Sequence, residues 1–150
     1  MKTGATATQY DQAYHMRRDA MAAVLVAARR KIPLLKDCKW VLGGFSWAAN
    51  AALEVSLRRR DIQGLLLLAP NWHRHTFTKF PLRQVHHPAL VIVGAMDPQS
   101  LPFVEVLFNV KQACLFMAKD GSHRLDIRSK SIDIATILVA LPTMARCCAK

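Results

Sequence analysis

Lys39-Trp40-Val41-Leu42-Gly43-Gly44-Phe45-Ser46-Trp47-Ala48 is the stretch on which the fold turns. Residues 39–43 are a short apolar run of the kind that forms a buried strand. From Ala48 to Arg59 the spacing changes, and Ala49, Ala52, Leu53 and Leu57 share one face of a helix. A strand, a sharp turn and a helix therefore follow one another within a few residues. Gly44 and Ala48 stand two residues before and two after Ser46. Small residues are needed at both places if the helix folds back closely across the strand.

Working outward, Gln63–Pro70 is a second apolar run bounded by Gly64 and Pro70, and Pro88–Gly94 is a third. Continuous apolar runs without alternation suit strands covered on both faces, as in a parallel sheet. Gln112–Ala118 predicts a fourth strand and Leu101–Val110 a helix between the last two. Lys130–Cys148 predicts a final apolar helix interrupted by Pro142. Upstream, residues 10–30 predict a helix whose apolar stripe is Ala13, Met16, Ala20, Ala23, Val24 and Ala27, closed by Pro33. Residues 1–9 are small and polar and are expected to be disordered. Helices alternating with buried strands argue an α/β domain with right-handed crossovers.

The chain has 150 residues and a mass of 16.8 kDa, one domain's worth, with 52% hydrophobic residues and a mean hydropathy of +0.12. The apolar-rich run Ile132–Leu141, with Asp133 and Thr136 inside it, falls well short of the roughly 20 residues a membrane-spanning helix needs. The formal net charge is +11. The cations sit in short scattered clusters (Arg17-Arg18, Arg29-Arg30-Lys31, Arg58-Arg59-Arg60) without interleaved aromatics, so nucleic acid is not the expected partner. Cys38 and Cys114 fall at apolar segments and are expected to be small buried residues. No CxxC pair suggests a zinc ribbon, and Lys150 is a poor final residue for prenylation of Cys147. A reduced compartment is expected, the cytoplasm. A mitochondrial leader is the alternative reading of the arginine-rich first helix, but Asp11 and Asp19 count against it.

Three residues carry candidate chemistry. Ser46 sits at the strand-to-helix turn, where a helix amino terminus favours developing negative charge. Asp97 follows the strand of Pro88–Gly94 after two residues, at the carboxyl end of a strand, where α/β enzymes place their reacting groups. His123, in Asp120-Gly121-Ser122-His123, follows the fourth strand. A histidine there can take a serine proton and return it to a leaving group, while an aspartate holds its ring in one tautomer. Each has a plainer reading: a serine helix cap, an Asp-Pro turn and an idle loop histidine. His73, His75, His86 and His87 lie in the irregular stretch 71–87 without a clear carboxylate partner, so solvated histidines are expected there rather than a metal site.

The order Ser46, Asp97, His123, each after a strand, with Gly44-Phe45-Ser46-Trp47-Ala48 in place of G-x-S-x-G, resembles the α/β-hydrolase superfamily from about residue 10 to the end of the chain. Within it, Gln63–Pro70, Trp72-His73, Leu82-Arg83 and Pro88–Asp97 resemble the branch related to the dienelactone hydrolases. The resemblance implies a three-layer parallel sheet and a serine hydrolase. Ser46 would be the nucleophile, His123 the base, Asp97 its orienting partner, and the Trp47 backbone N–H an oxyanion donor. It implies a small-molecule acyl substrate and neither metal nor cofactor. The family normally places four strands before the elbow strand and a His-Gly loop that gives a second oxyanion donor. Here one helix precedes it and no such motif lies upstream of Ser46. The sequence therefore predicts a hydrolase sheet truncated on its amino-terminal side to about four strands. Its elbow strand would be an open edge where a second copy or a protein partner would bind. The alternative is a hydrolase-like scaffold of low or no activity.

Overall fold

The four apolar runs become four strands, all parallel, in the order β1 (Trp40–Phe45), β2 (Ile62–Leu68), β3 (Ala89–Gly94) and β4 (Ala113–Ala118). The computed structural model describes residues 7–71, 85, 87–107, 113–119, 121–122 and 124–125. Helix α1 (Ala7–Lys31) leads through a 3-10 turn (Pro33–Leu35) into β1. Helix α2 (Trp47–Leu57) joins β1 to β2, and α3 (Leu101–Leu107) lies between β3 and β4. The expected helix 130–148, and with it the third layer, falls outside the described residues.

The sheet has two apolar faces because alternate residues point to opposite sides. Leu65, Leu67, Val91 and Val93 face Leu25 of α1, Ala49, Ala52 and Leu53 of α2, and Phe103 of α3. Leu90 and Ile92 form the second face with Ala69 and Leu125. All six residues of β3 are buried, as a central parallel strand requires. β1 is an edge of the four-stranded sheet, with Val41 52% and Phe45 43% exposed.

Helix α1 begins at Ala7, earlier than its sequence pattern suggests, and it buries a different face from the one expected. Ala13, Met16, Ala20, Ala23, Val24 and Ala27 all point to solvent. The inward face is instead Tyr14, Arg18, Met21 and Leu25, spaced at three and four residues. The cause lies on α2. Glu54 is buried there, and a buried carboxylate is tolerated only with partners. Tyr14 Oη donates to it at 2.9 Å, and the guanidinium groups of Arg18 and Arg58 each donate at 2.8 Å. Burial, and then the Glu54 charge, pushes the Tyr14 hydroxyl well above its ordinary pKa, so it stays a donor. Cys38 also departs from expectation: it is exposed, its thiol donating to the Leu34 carbonyl at 3.3 Å.

Candidate active site

The carboxyl ends of the strands carry the candidate residues. β1 runs on to Phe45, and Ser46 turns the chain into α2 with φ 55° and ψ −119°. A non-glycine residue held there costs about 1–3 kcal/mol and persists only where its surroundings enforce it. The enforcement is visible. Ser46 N–H donates to the Leu68 carbonyl of β2 at 2.8 Å, and the Ser46 carbonyl accepts from Ala49 N–H at 3.0 Å. A Cβ at Gly44 would meet the backbone carbonyl of Ala48 and lie 2.6 Å from the amide nitrogen of Ala49, so α2 packs directly on the strand. The Ser46 hydroxyl does not cap α2, although it occupies the cap position. Trp47 is the first residue of α2, so its backbone N–H stands at the amino end of the helix. Its indole packs on Tyr10 and Tyr14 of α1, with ring centroids 5.5 and 6.3 Å away.

Asp97 lies at the same end of the sheet, just past β3, and has no exposed surface. Its Oδ1 accepts from the backbone N–H of Gln99 at 3.0 Å and of Ser100 at 3.3 Å, and its Oδ2 accepts from the Ser100 hydroxyl. The turn reading of Asp97-Pro98 is thus realised, with the carboxylate organising the start of α3. An ionised carboxylate offers about four acceptor positions, so this use is compatible with a further donor.

The turns that leave β3 and β4 are latched together. Ala95 N–H donates to the Ala118 carbonyl and Met96 N–H to the Gly121 carbonyl, both at 2.9 Å. A Cβ at Gly94 would collide with the backbone of Gly121 and would lie 2.6 Å from the Ser122 carbonyl oxygen. Gly121 and Ser122 therefore lie against the strand end that leads to Asp97. His123 and Asp120 lie outside the described residues, as do Trp72, His73, His75, Leu82, Arg83 and His86. His87 is described, and it is not simply solvated: its Nε2 lies 3.3 Å from the Ser56 carbonyl of α2. Among the described residues no three His, Cys, Asp or Glu side chains are grouped as a metal site.

Two further side chains stand near these turns. Ser100, buried and three residues after Asp97, clamps the carboxylate. Asn50, 3% exposed and one helical turn after Ser46, donates to the Asn71 carbonyl just past β2, while its Oδ1 is buried without a hydrogen-bond partner among the described residues. Both are polar residues three or four positions beyond a candidate residue, a spacing that brings side chains together on one helical turn. That spacing was the available signal.

No family model and no curated protein matches this chain. Solved structures do. A protein from Xanthomonas campestris assigned as a hydrolase of the alpha/beta superfamily superposes with a TM-score of 0.58 at 20% identity, over 91% of this chain and 66% of that one. An alpha-beta serine hydrolase homologue from Coxiella burnetii gives 0.60 at 17% identity, over 84% and 55%. A predicted CIB-like hydrolase from Thermoplasma acidophilum gives 0.59 at 14% identity, over 81% and 58%. This chain thus spans between 55% and 66% of the length of these three structures. With its parallel sheet in sequential order, its helices and its strained strand-to-helix turn, the chain has the fold of the α/β-hydrolases.

Proposed function

We propose that the chain carries the nucleophile-bearing part of a serine hydrolase acting on an ester, thioester or related acyl bond. The backbone of Ser46 carries this reading. It is held at φ 55° on a tight turn between strand and helix, and its hydroxyl is not spent on capping the helix. That is the geometry a nucleophile elbow needs.

In this reading the Ser46 hydroxyl attacks the acyl carbon and His123 takes its proton. His123 then returns the proton to the leaving group, and Asp97 orients the imidazole. Ser46 follows β1 and Asp97 follows β3, two strands apart, or roughly 10 Å at the usual strand spacing. Neither reaches the other directly, so a bridging group is needed. Gly121 and Ser122, packed on the strand leading to Asp97, bring the chain to that neighbourhood one residue before His123. The N–H of Trp47 supplies one oxyanion donor. Loss of one oxyanion donor typically lowers turnover about 10²–10³-fold.

A p-nitrophenyl ester assay on the wild type and on Ser46→Ala, His123→Ala and Asp97→Asn tests the reading. Slow turnover that each substitution abolishes or sharply reduces supports it. Turnover that survives Ser46→Ala refutes it. The second reading, a scaffold that binds a protein partner, has an observation of its own. Among the described residues β1 pairs on one side only, with β2, and Val41 and Phe45 are exposed, whereas parallel edges are normally covered. Light scattering distinguishes it: a stable monomer with rapid turnover would exclude a role for that edge in assembly.

A further inference from the structure

The opposite end of the sheet carries a different surface. The connection from α1 to β1 (residues 32–39) and the connection from α2 to β2 (residues 58–61) meet at the amino ends of the strands. They form one surface. Arg29 donates to the Cys38 carbonyl at 2.7 Å and pairs with Asp61 at 3.0 Å, and Trp40 N–H donates to the Asp61 carbonyl at 2.9 Å. Asp61 is taken up by Arg29 and Arg59. Beyond these pairs the surface presents Arg30, Lys31, Lys36, Lys39 and Arg60, all exposed and in no ion pair among the described residues, against one exposed carboxylate, Asp37.

Between Lys31 and Lys36 the chain also exposes aliphatic surface. Leu34, in the 3-10 turn, is 88% exposed, more than any other large hydrophobic described, and Ile32 is 45% exposed. Exposed aliphatic side chains flanked along the chain by lysine and arginine match two features of one object: acyl chains and anionic headgroups. A nucleic acid would match the charge but leave Leu34 unmatched, because bases stack on aromatic rings and the exposed apolar side chains here are aliphatic.

We propose that this end of the sheet docks on an anionic lipid bilayer, with Leu34 and Ile32 entering the interface and Arg30, Lys31, Lys36, Lys39 and Arg60 resting on the headgroups. Such surface binding needs no membrane-spanning segment, and no helix among the described residues is long and apolar enough to be one. β1 runs away from this surface for six residues, about 20 Å, so the Ser46 end would face the aqueous side.

Vesicle sedimentation of the full chain tests the proposal, with pure phosphatidylcholine compared with phosphatidylcholine carrying 30% phosphatidylserine. The expected result is partition at least about tenfold stronger onto the anionic vesicles, weakening as salt rises. Lys36→Ala with Lys39→Ala should weaken it about 25-fold, since each cation near the surface contributes roughly fivefold. Leu34→Ala should weaken it about tenfold through lost apolar insertion. Circular dichroism of each variant should match the wild type, because all three side chains are exposed. No partition, equal partition onto both vesicle types, or no effect of Leu34→Ala would overturn the proposal. So would single-stranded RNA bound more tightly than the anionic vesicles, with Leu34→Ala neutral toward both, which would identify the surface as one for nucleic acid.

Discussion

Replacing Glu54 by glutamine probes why α1 sits as it does. The carboxylate is 2% exposed and receives three charge-assisted or phenolic hydrogen bonds, from Tyr14, Arg18 and Arg58. Hydrogen bonds to a charged group each contribute about 1.5–3 kcal/mol, but the three do not simply add. The Arg58 side chain is 53% exposed and recovers water when its partner goes, so its share is under about 1 kcal/mol. Tyr14 is buried and the Arg18 side chain is 16% exposed, so these two lose most. Breaking a buried charged pair costs about 3–5 kcal/mol, and glutamine retains one acceptor, which puts Glu54→Gln near 3 kcal/mol. With a urea slope of about 2 kcal/mol/M, the unfolding midpoint should fall by about 1.5 M. A double-mutant cycle with Tyr14→Phe should show coupling of about 1 kcal/mol. A Glu54→Gln midpoint that matches the wild type within the equivalent of ~0.5 kcal/mol, with no coupling to Tyr14, would refute the claim that Glu54 selects the buried face of α1.

Gly44→Ala should cost about 3 kcal/mol and lower Tm by roughly 6–12 °C, because its Cβ would meet α2 backbone that cannot swing aside. Gly64→Ala is the control: its Cβ would lie 3.5 Å from the Pro88 carbonyl and 3.7 Å from Val41, ordinary contacts, so Tm should hold within about 2 °C. The hydrogen bond from Arg59, chiefly, holds the Asp61 carboxyl below the usual carboxylate range. Its folded pKa lies under the unfolded value of about 3.9, so its stabilisation is present above that pH and is lost as pH falls through the folded pKa. Chemical denaturation between pH 5 and 2 should therefore show a shallower acid loss in Asp61→Asn than in the wild type.

The sheet was legible because its strands are unbroken apolar runs. Ala89–Gly94 is a strand over the span its sequence marks, and Gly94 ends it where the neighbouring turn packs closest. The strand-to-helix turn was legible for a similar reason: close packing there admits only small residues, and Gly44 and Ala48 announce it. The buried face of α1 was not legible. Hydrophobic spacing favoured the alanine stripe, but one carboxylate on another helix turned Tyr14 and Arg18 inward, a tertiary demand that local periodicity does not contain. Cys38 misled because an apolar neighbourhood in sequence became an exposed turn before β1. At the candidate site, Ser46 and Asp97 could be placed from strand ends alone. For Asn50 and Ser100 the sequence held only their spacing of four and three residues from these two, because the folded turns alone bring their partners, the Asn71 carbonyl and the Asp97 carboxylate, within reach.

The nucleophile assignment is tested most directly by reacting the chain with a fluorophosphonate and mapping the adduct by mass spectrometry. A strained, activated serine predicts one adduct per chain, on Ser46, absent in Ser46→Ala and strongly slowed in His123→Ala, because an unassisted hydroxyl is a weak nucleophile. No adduct on Ser46 in the wild type, or a stoichiometric adduct that persists in Ser46→Ala, would contradict it.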